Sequence, residues 1–304
     1  MLRPLAIWLL LLFLWNSDQV LAQLTPERYW SAAREAKDLE LPVEPSSLAS
    51  ADSPRLSLYK PDGRGPFPAL VLLHQCGGLR NSSGSWQNMS MLNWAKQAVG
   101  RGYVVLVLDS LGPRGVDTAC FGPKGGVNFA RGLKDALLAA THVRQLDFVD
   151  KKRVALAGYS WGAGVALMAS SKRAASALRM TDRYDAVVSF YPPCYLVPAN
   201  GSPPYTLVLN EIDRPLLVLL AERDNETPPE ECVSRLSPQK ATGAPIEWHT
   251  YPEATHCWDC ENLHGHRKVD ARGNTVEYLY DKSATTDSAQ RMFSFIEKAF
   301  GSRP

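Results

Sequence analysis

Ser160 stands at the centre of Gly158-Tyr159-Ser160-Trp161-Gly162, a G-x-S-x-G pentad. A serine hydroxyl in that setting can attack an acyl carbon, provided the backbone pushes it clear of a sheet edge. Val154-Ala155-Leu156-Ala157 just before it reads as a buried strand, and Gly162-Ala163-Gly164 opens a helix. A strand that turns at once into a helix holds its central residue in a strained conformation, and the flanking glycines leave room for the turn. The pentad alone would arise by chance in roughly one chain in ten of this length, so its neighbours decide the case.

A serine hydroxyl needs a base near neutral pH, and that base is normally a histidine held by a carboxylate. In an open α/β sheet both should lie at the carboxyl ends of later strands. Asp224 follows the apolar run Pro215 to Ala221, and His256 follows the run Ile246 to Tyr251. The order Ser160, Asp224, His256 is that of α/β-hydrolases. Glu222 and Glu226 are alternative orienters, and His249, His264 and His266 are alternative bases. His249 sits inside a strand pattern and the other two fall in a polar insertion, so His256 is the expected base.

Acyl transfer also needs donors for a developing oxyanion. One is expected at the backbone N–H of Trp161, at a helix N-terminus. The other is expected in His74-Gln75-Cys76-Gly77-Gly78, with Gln75 first and Cys76 next. His74 is expected to support that loop. Cys76 as a nucleophile in its own right has no histidine placed to serve it. Arg114, in a loop after the second buried strand, either binds a substrate carboxylate or ties its loop through an internal ion pair. Neither a metal nor an organic cofactor is implied.

The elements that must position these residues follow an α/β rhythm. Strands are expected at 55–60, 69–74, 103–109, 153–159, 186–191, 215–221 and 246–251. Helices are expected at 25–37, 90–99, 128–146, 163–177, from Pro228, and at 288–300. Thr25 is a candidate cap and Pro26 a candidate first helical residue of the earliest helix. Strands alternating with helices indicate a mostly parallel central sheet covered on both faces. The expected organisation is a signal peptide over 1–22, an N-terminal helix and connector over 23–54, and one α/β domain over 55–304.

The signal-peptide expectation rests on Arg3, the apolar run Leu5 to Trp15 and the small residues before a cleavage after Ala22. The run is short for a membrane span, and no later segment is long or apolar enough. Export to the periplasm or the medium is therefore expected, with no stable membrane span after cleavage. Cys76, Cys120, Cys194, Cys232, Cys257 and Cys260 make an even count, which in an exported chain suggests disulfides; fifteen pairings are open. Cys257-Trp258-Asp259-Cys260 reads as a structural bridge ahead of a redox pair or half a zinc site. Sequons begin at Asn81, Asn88, Asn200 and Asn225. With 33 basic and 31 acidic residues, nothing suggests nucleic acid as a partner.

From Leu58 to Phe300 the chain resembles the dienelactone hydrolase family of α/β-hydrolases, particularly its exported members. The resemblance rests on His74-Gln75-Cys76-Gly77-Gly78, Asp109-Ser110-Leu111-Gly112-Pro113-Arg114-Gly115, the Ser160 pentad, Glu222-Arg223-Asp224 with Thr227-Pro228, and Tyr251-Pro252 with Thr255-His256. It implies the α/β-hydrolase fold and hydrolysis of an ester, lactone or related acyl bond in a small-molecule substrate. A peptidase or amidase on the same fold, or a non-catalytic binding protein, are the alternatives. The family's namesake has cysteine at the position of Ser160 and a glutamate at the position matching His74. The resemblance therefore implies a Ser-His-Asp mechanism and leaves dienelactone itself doubtful.

Overall fold

The computed structural model describes residues 25–48, 55–79, 88–199 and 201–301. The expected signal peptide with its cleavage after Ala22, and the sequons at Asn81 and Asn200, lie outside the described residues.

The first helix, α1 (Glu27–Glu35), precedes strands β1 (Ser57–Tyr59) and β2 (Phe67–Leu73), then α2 (Met89–Gly100), β3 (Val104–Leu108) and α3 (Phe129–Gln145). The long strand β4 (Val149–Tyr159) leads into α4 (Trp161–Ala169) and α5 (Lys172–Ala177). Next come β5 (Ala186–Phe190), β6 (Val197–Ala199), β7 (Ser202–Tyr205), β8 (Leu216–Ala221) and α6 (Pro229–Ala241). Then β9 (Ile246–Tyr251), β10 (Arg267–Val269), β11 (Thr275–Glu277) and α7 (Lys282–Phe300) complete the order.

Among the described residues, seven strands form one sheet in the order β1-β3-β2-β4-β5-β8-β9. Only β1 runs antiparallel, on β3; the other pairs are parallel. The apolar runs of β2, β3, β4 and β8 make this arrangement possible, because both faces of each strand are covered. Val71, Leu73, Leu106, Leu156 and Val218 pack in the core beneath α3 and α4. Their alternate neighbours Leu70, Leu72, Val105, Ala157 and Leu219 pack in the opposite core with Trp94 of α2 and Met292 and Ile296 of α7. The two-residue period of the strands thus feeds two separate apolar layers.

The sheet runs as expected, but several helix limits differ. The helix expected over 163–177 breaks between α4 and α5. Ser170 donates its hydroxyl to Leu167 O at 2.6 Å, and Ser171 donates to Asn210 O at 2.7 Å. Serines that bond to nearby carbonyls compete with helix continuation. The closing helix starts at Lys282, earlier than expected, because Asp281 caps it by accepting from Ala284 N at 2.9 Å. Thr25 does not cap α1; Pro26 occupies the cap position. Instead, the other end of α1 is held. Lys134 donates to Arg34 O at 2.9 Å and Ala36 O at 3.0 Å, and Arg131 donates to Ala36 O and Lys37 O.

Two small antiparallel pairs, β6–β7 and β10–β11, were not expected from the sequence. The second lies in the insertion between β9 and α7. Among the described residues no helix is long and apolar enough to cross a membrane.

Candidate active site

Ser160 lies between β4 and α4 with φ 52° and ψ −111°, a left-handed conformation that a serine rarely adopts. The surrounding backbone enforces it: Ser160 N donates to Phe190 O at 3.0 Å and Gly162 N to His74 O at 3.1 Å. A Cβ at Gly158 would overlap the carbonyl of Gly162, and one at Gly162 would overlap the carbonyl of Leu73. Both glycines are thus required by close backbone approach, as the pentad predicts.

The loops after β8 and β9 bring Asp224 and His256 to this turn. Ser160 Oγ lies 2.9 Å from His256 Nε2, and His256 Nδ1 lies 2.7 Å from Asp224 Oδ2. All three are buried. This pairing puts the ring proton on Nδ1 toward the carboxylate and leaves Nε2 as an acceptor for the serine proton. Asp224 is itself fixed: Glu226 N and Thr227 N donate to Oδ1 at 3.0 and 2.9 Å, and the Thr227 hydroxyl donates to Oδ2 at 2.7 Å. Burial works against a charged His256, but the Asp224 and Glu226 carboxylates outweigh it and hold the imidazole above its ordinary range.

None of the rival residues takes the place of His256 or Asp224 in this relay. Glu222 is exposed. His249 packs edge-on against Tyr251, and His264 accepts from Tyr280 N. His266 stands over Tyr278. Glu226 is near the ring, but on the other nitrogen: its Oε2 is 3.8 Å from His256 Nε2. The same Oε2 accepts from Tyr278 at 2.8 Å, and Oε1 pairs with Lys268 at 2.8 Å. Lys268 and Tyr278 belong to the insertion and carry no local signal in the sequence.

The loop after β2 is braced from two sides. His74 Nδ1 lies 2.6 Å from Gln75 O, while its Nε2 accepts from Ser110 N at 3.2 Å. Burial holds His74 below its usual range, in keeping with this neutral form. Its ring stacks on Trp161 at 5.7 Å. The Gln75 amide enters a buried polar network with Asn88, Ser90 and Tyr191. Tyr191 in turn donates to Asp259 at 2.6 Å and sets its ring edge-on against His256 at 4.7 Å.

Three disulfides join Cys76 to Cys120, Cys194 to Cys232, and Cys257 to Cys260. Cys76 is therefore not a free thiol. Cys257, Asp259 and Cys260 cluster within 4.8 Å, but the two sulfurs are bonded to each other and offer no thiolate pair to a metal. Asn88 is buried and caps α2 through Met91 N, so its sequon is engaged inside the fold.

Ser160 borders two cavities. The larger, about 900 Å³, is lined by Trp161, Phe129, Phe121, Tyr195, Tyr205 and Tyr29 among others. The smaller, about 120 Å³, is lined by His256, Cys257, Leu263, His266, Lys268 and Tyr278. Cys76 lines both, whereas Gln75 lines only the smaller. Arg114 lines neither. Its guanidinium forms a two-pronged pair with Asp135 at 2.8 and 2.9 Å and donates to Ser110 O at 2.7 Å. The internal ion pair, not a substrate carboxylate, accounts for Arg114. Arg235 of α6 does line the larger cavity, and its buried Nε has no hydrogen-bond partner among the described residues. It sits on a helix with no motif around it, so the sequence did not single it out.

Comparison with known proteins follows the same lines. The sequence model of the dienelactone hydrolase family matches residues 55–300. No curated protein sequence matches significantly. Among solved structures, a protein of Klebsiella pneumoniae assigned as a dienelactone hydrolase aligns with TM-score 0.58 and 17% identity, covering 77% of this chain and 88% of that one. A thermophilic esterase of Thermogutta terrifontis, bound to butyrate, aligns with TM-score 0.56 and 16% identity over 81% of this chain and 88% of its own. The same esterase phosphorylated by paraoxon gives TM-score 0.54 and 17% identity over 84% and 93%. These structures share the α/β-hydrolase fold. With the family match spanning the sheet, the strained serine turn and both partner loops, this chain is a hydrolase belonging to the dienelactone hydrolase family.

Proposed function

We propose that the protein is an exported serine hydrolase that cleaves a carboxylic ester, lactone or related acyl bond through an acyl-enzyme. The observation that carries this reading is the continuous relay from Ser160 Oγ through His256 to Asp224, at 2.9 and 2.7 Å. As Oγ bonds to the acyl carbon, its proton passes to His256 Nε2. His256 then returns that proton to the leaving alkoxide as the carbon–oxygen bond breaks. Water repeats the sequence and frees Ser160. Asp224 keeps the imidazole in the required tautomer throughout.

Trp161 N–H, at the first turn of α4, is one oxyanion donor. The second comes from the loop after β2, at the backbone N–H of Gln75 or of Cys76, both of which border the smaller cavity at Ser160. His256 borders the smaller cavity, so the leaving alcohol is small. The aromatic walls of the larger cavity suit a bulky acyl group, and Arg235, whose Nε has no hydrogen-bond partner among the described residues, brings a cation to that cavity. Three disulfides fit an oxidising destination.

Ser160→Ala should lower turnover of p-nitrophenyl acetate by about 10⁶-fold while the fold survives. It should also abolish labelling by a fluorophosphonate probe. Retained turnover in that variant would overturn the reading.

A further inference from the structure

We propose that Glu226 is a positioning residue for His256, and that Lys268 and Tyr278 clamp its carboxylate there so that the 257–282 insertion governs the charge of the base. The inference rests on the assignment of His256 as the base of Ser160. It goes beyond that assignment because it gives the insertion a part in turnover.

The geometry sets two carboxylates on opposite sides of one imidazole. Asp224 meets Nδ1 at 2.7 Å, a hydrogen bond. Glu226 Oε2 meets Nε2 at 3.8 Å, too far for a hydrogen bond and close enough for charge. Nε2 therefore keeps its bond to Ser160 at 2.9 Å. Each half of an acyl transfer passes through a state in which both ring nitrogens carry protons. Asp224 faces one end of that imidazolium and Glu226 the other.

Glu226 does not reach this position alone. Its side chain is 13% exposed. Lys268 holds Oε1 at 2.8 Å from β10, and Tyr278 holds Oε2 at 2.8 Å from just beyond β11. A carboxylate serving only to staple the hairpin would need Lys268 but has no reason to sit against Nε2. Burial opposes its charge, yet His256, Lys268 and Tyr278 together hold Glu226 below the usual carboxylate range, so it stays ionised at neutral pH. Lys268 partly offsets Glu226 at His256, which makes the pair adjustable in both directions.

The other groups around His256 are accounted for. Tyr191, at the end of β5, and Tyr278 present rings at 4.7 and 5.6 Å, and burial raises both hydroxyls far above neutral pH. Asp259 lies behind Tyr191, and burial raises its carboxyl. His266 borders the same small cavity as His256. Thr227 is uncharged and lies 3.1 Å from Nδ1.

The test is the pH profile of kcat/KM for p-nitrophenyl acetate in the wild type, Glu226→Gln, Glu226→Asp and Lys268→Gln. Glu226→Gln keeps one acceptor oxygen, for Lys268 or for Tyr278, and loses the charge. Its acid limb should move down by about one pH unit. Lys268→Gln keeps an amide donor for Glu226 Oε1 and removes only the positive charge, so it should move the limb up by about half a unit. Glu226→Asp should restore most of the wild-type position. Unchanged limbs, or shifts of the two glutamine variants in one direction, would overturn the proposal, since a loosened hairpin predicts no opposition of sign. If Glu226→Gln fails to fold, Lys268→Gln decides on a chain whose Glu226 is intact. Full activity in Ser160→Ala would instead remove the assignment on which this rests.

Discussion

The larger cavity at Ser160 is about 900 Å³ and walled by aromatic side chains from α1, the 121–129 loop and the segment around β6 and β7. The smaller is about 120 Å³ and closed by the insertion after β9, with His256 and Lys268 on its walls. They share Ser160, Cys76 and Cys120. The shared residues come from the central sheet and the loops at its carboxyl edge. Of the residues that line one cavity only, Gln75, Trp161 and His256 belong to the same frame, while the aromatic walls of the larger and Leu263, His266, Lys268 and Tyr278 of the smaller come from attachments. On the proposed mechanism the frame supplies the attack on the acyl carbon, and the attachments set what lies on each side of it.

A change in the shared part should affect both sides alike. Asp224→Asn leaves the carboxylate position filled but removes the charge that fixes the His256 tautomer. It should lower kcat about 10³- to 10⁴-fold for every ester tested, whatever its shape. A loss confined to one substrate class would break the comparison between frame and attachments.

The disulfides separate the two regions next. Cys194–Cys232 pins the wall of the larger cavity to α6 across a sequence separation of 38, whereas Cys257–Cys260 spans only 3. Chain entropy then assigns about 4 kcal/mol to the first and about 2 kcal/mol to the second. Paired replacement of Cys194 and Cys232 by alanine should therefore lower the unfolding free energy in urea more than the other pair does. Replacing Cys257 and Cys260, which follow directly on His256, should cost more activity than stability. The reverse order in both measurements would show that the bridges do not divide as the cavities do.

The smallest expected effect concerns substrate shape. Methyl esters of bulky aromatic acids should be hydrolysed with kcat/KM roughly 10- to 100-fold above esters of the same acids with bulky alcohols. Enlarging the smaller cavity by Leu263→Ala should narrow that ratio. An unchanged ratio would mean that the alcohol leaves through the larger cavity.

Most of the frame was legible because it is written locally. The runs in β2 and β8, and the second half of β4 from Val154 to Tyr159, are apolar, and only a sheet covered on both faces accommodates them. Ser160 and Asp224 each follow such a run, and His256 follows the mixed edge strand β9, so their placement at one sheet edge could be read without coordinates. The attachments were not legible in that way. The strands β10 and β11 are three residues each and largely polar, which leaves no periodicity to detect. The partnership of Glu226 with Lys268 joins residues 42 apart in sequence. The disulfide pairing depends on which loops meet in space. Arg114 was equally ambiguous, because an arginine in a loop gives no sign of whether an aspartate such as Asp135 waits behind it.

The basic residues of α3 that grip the end of α1 have a further consequence. They hold Tyr29 where it forms part of the larger cavity, against Tyr205 at 5.8 Å. Tyr29 precedes residue 55, where the likeness to the family begins. A protein trimmed to the recognisable portion would keep every reacting group and lose one wall of its binding chamber. If the larger cavity holds the acyl group as proposed, selectivity measured on that shortened form should differ from that of the full chain, because Tyr29 comes from a stretch outside the family match.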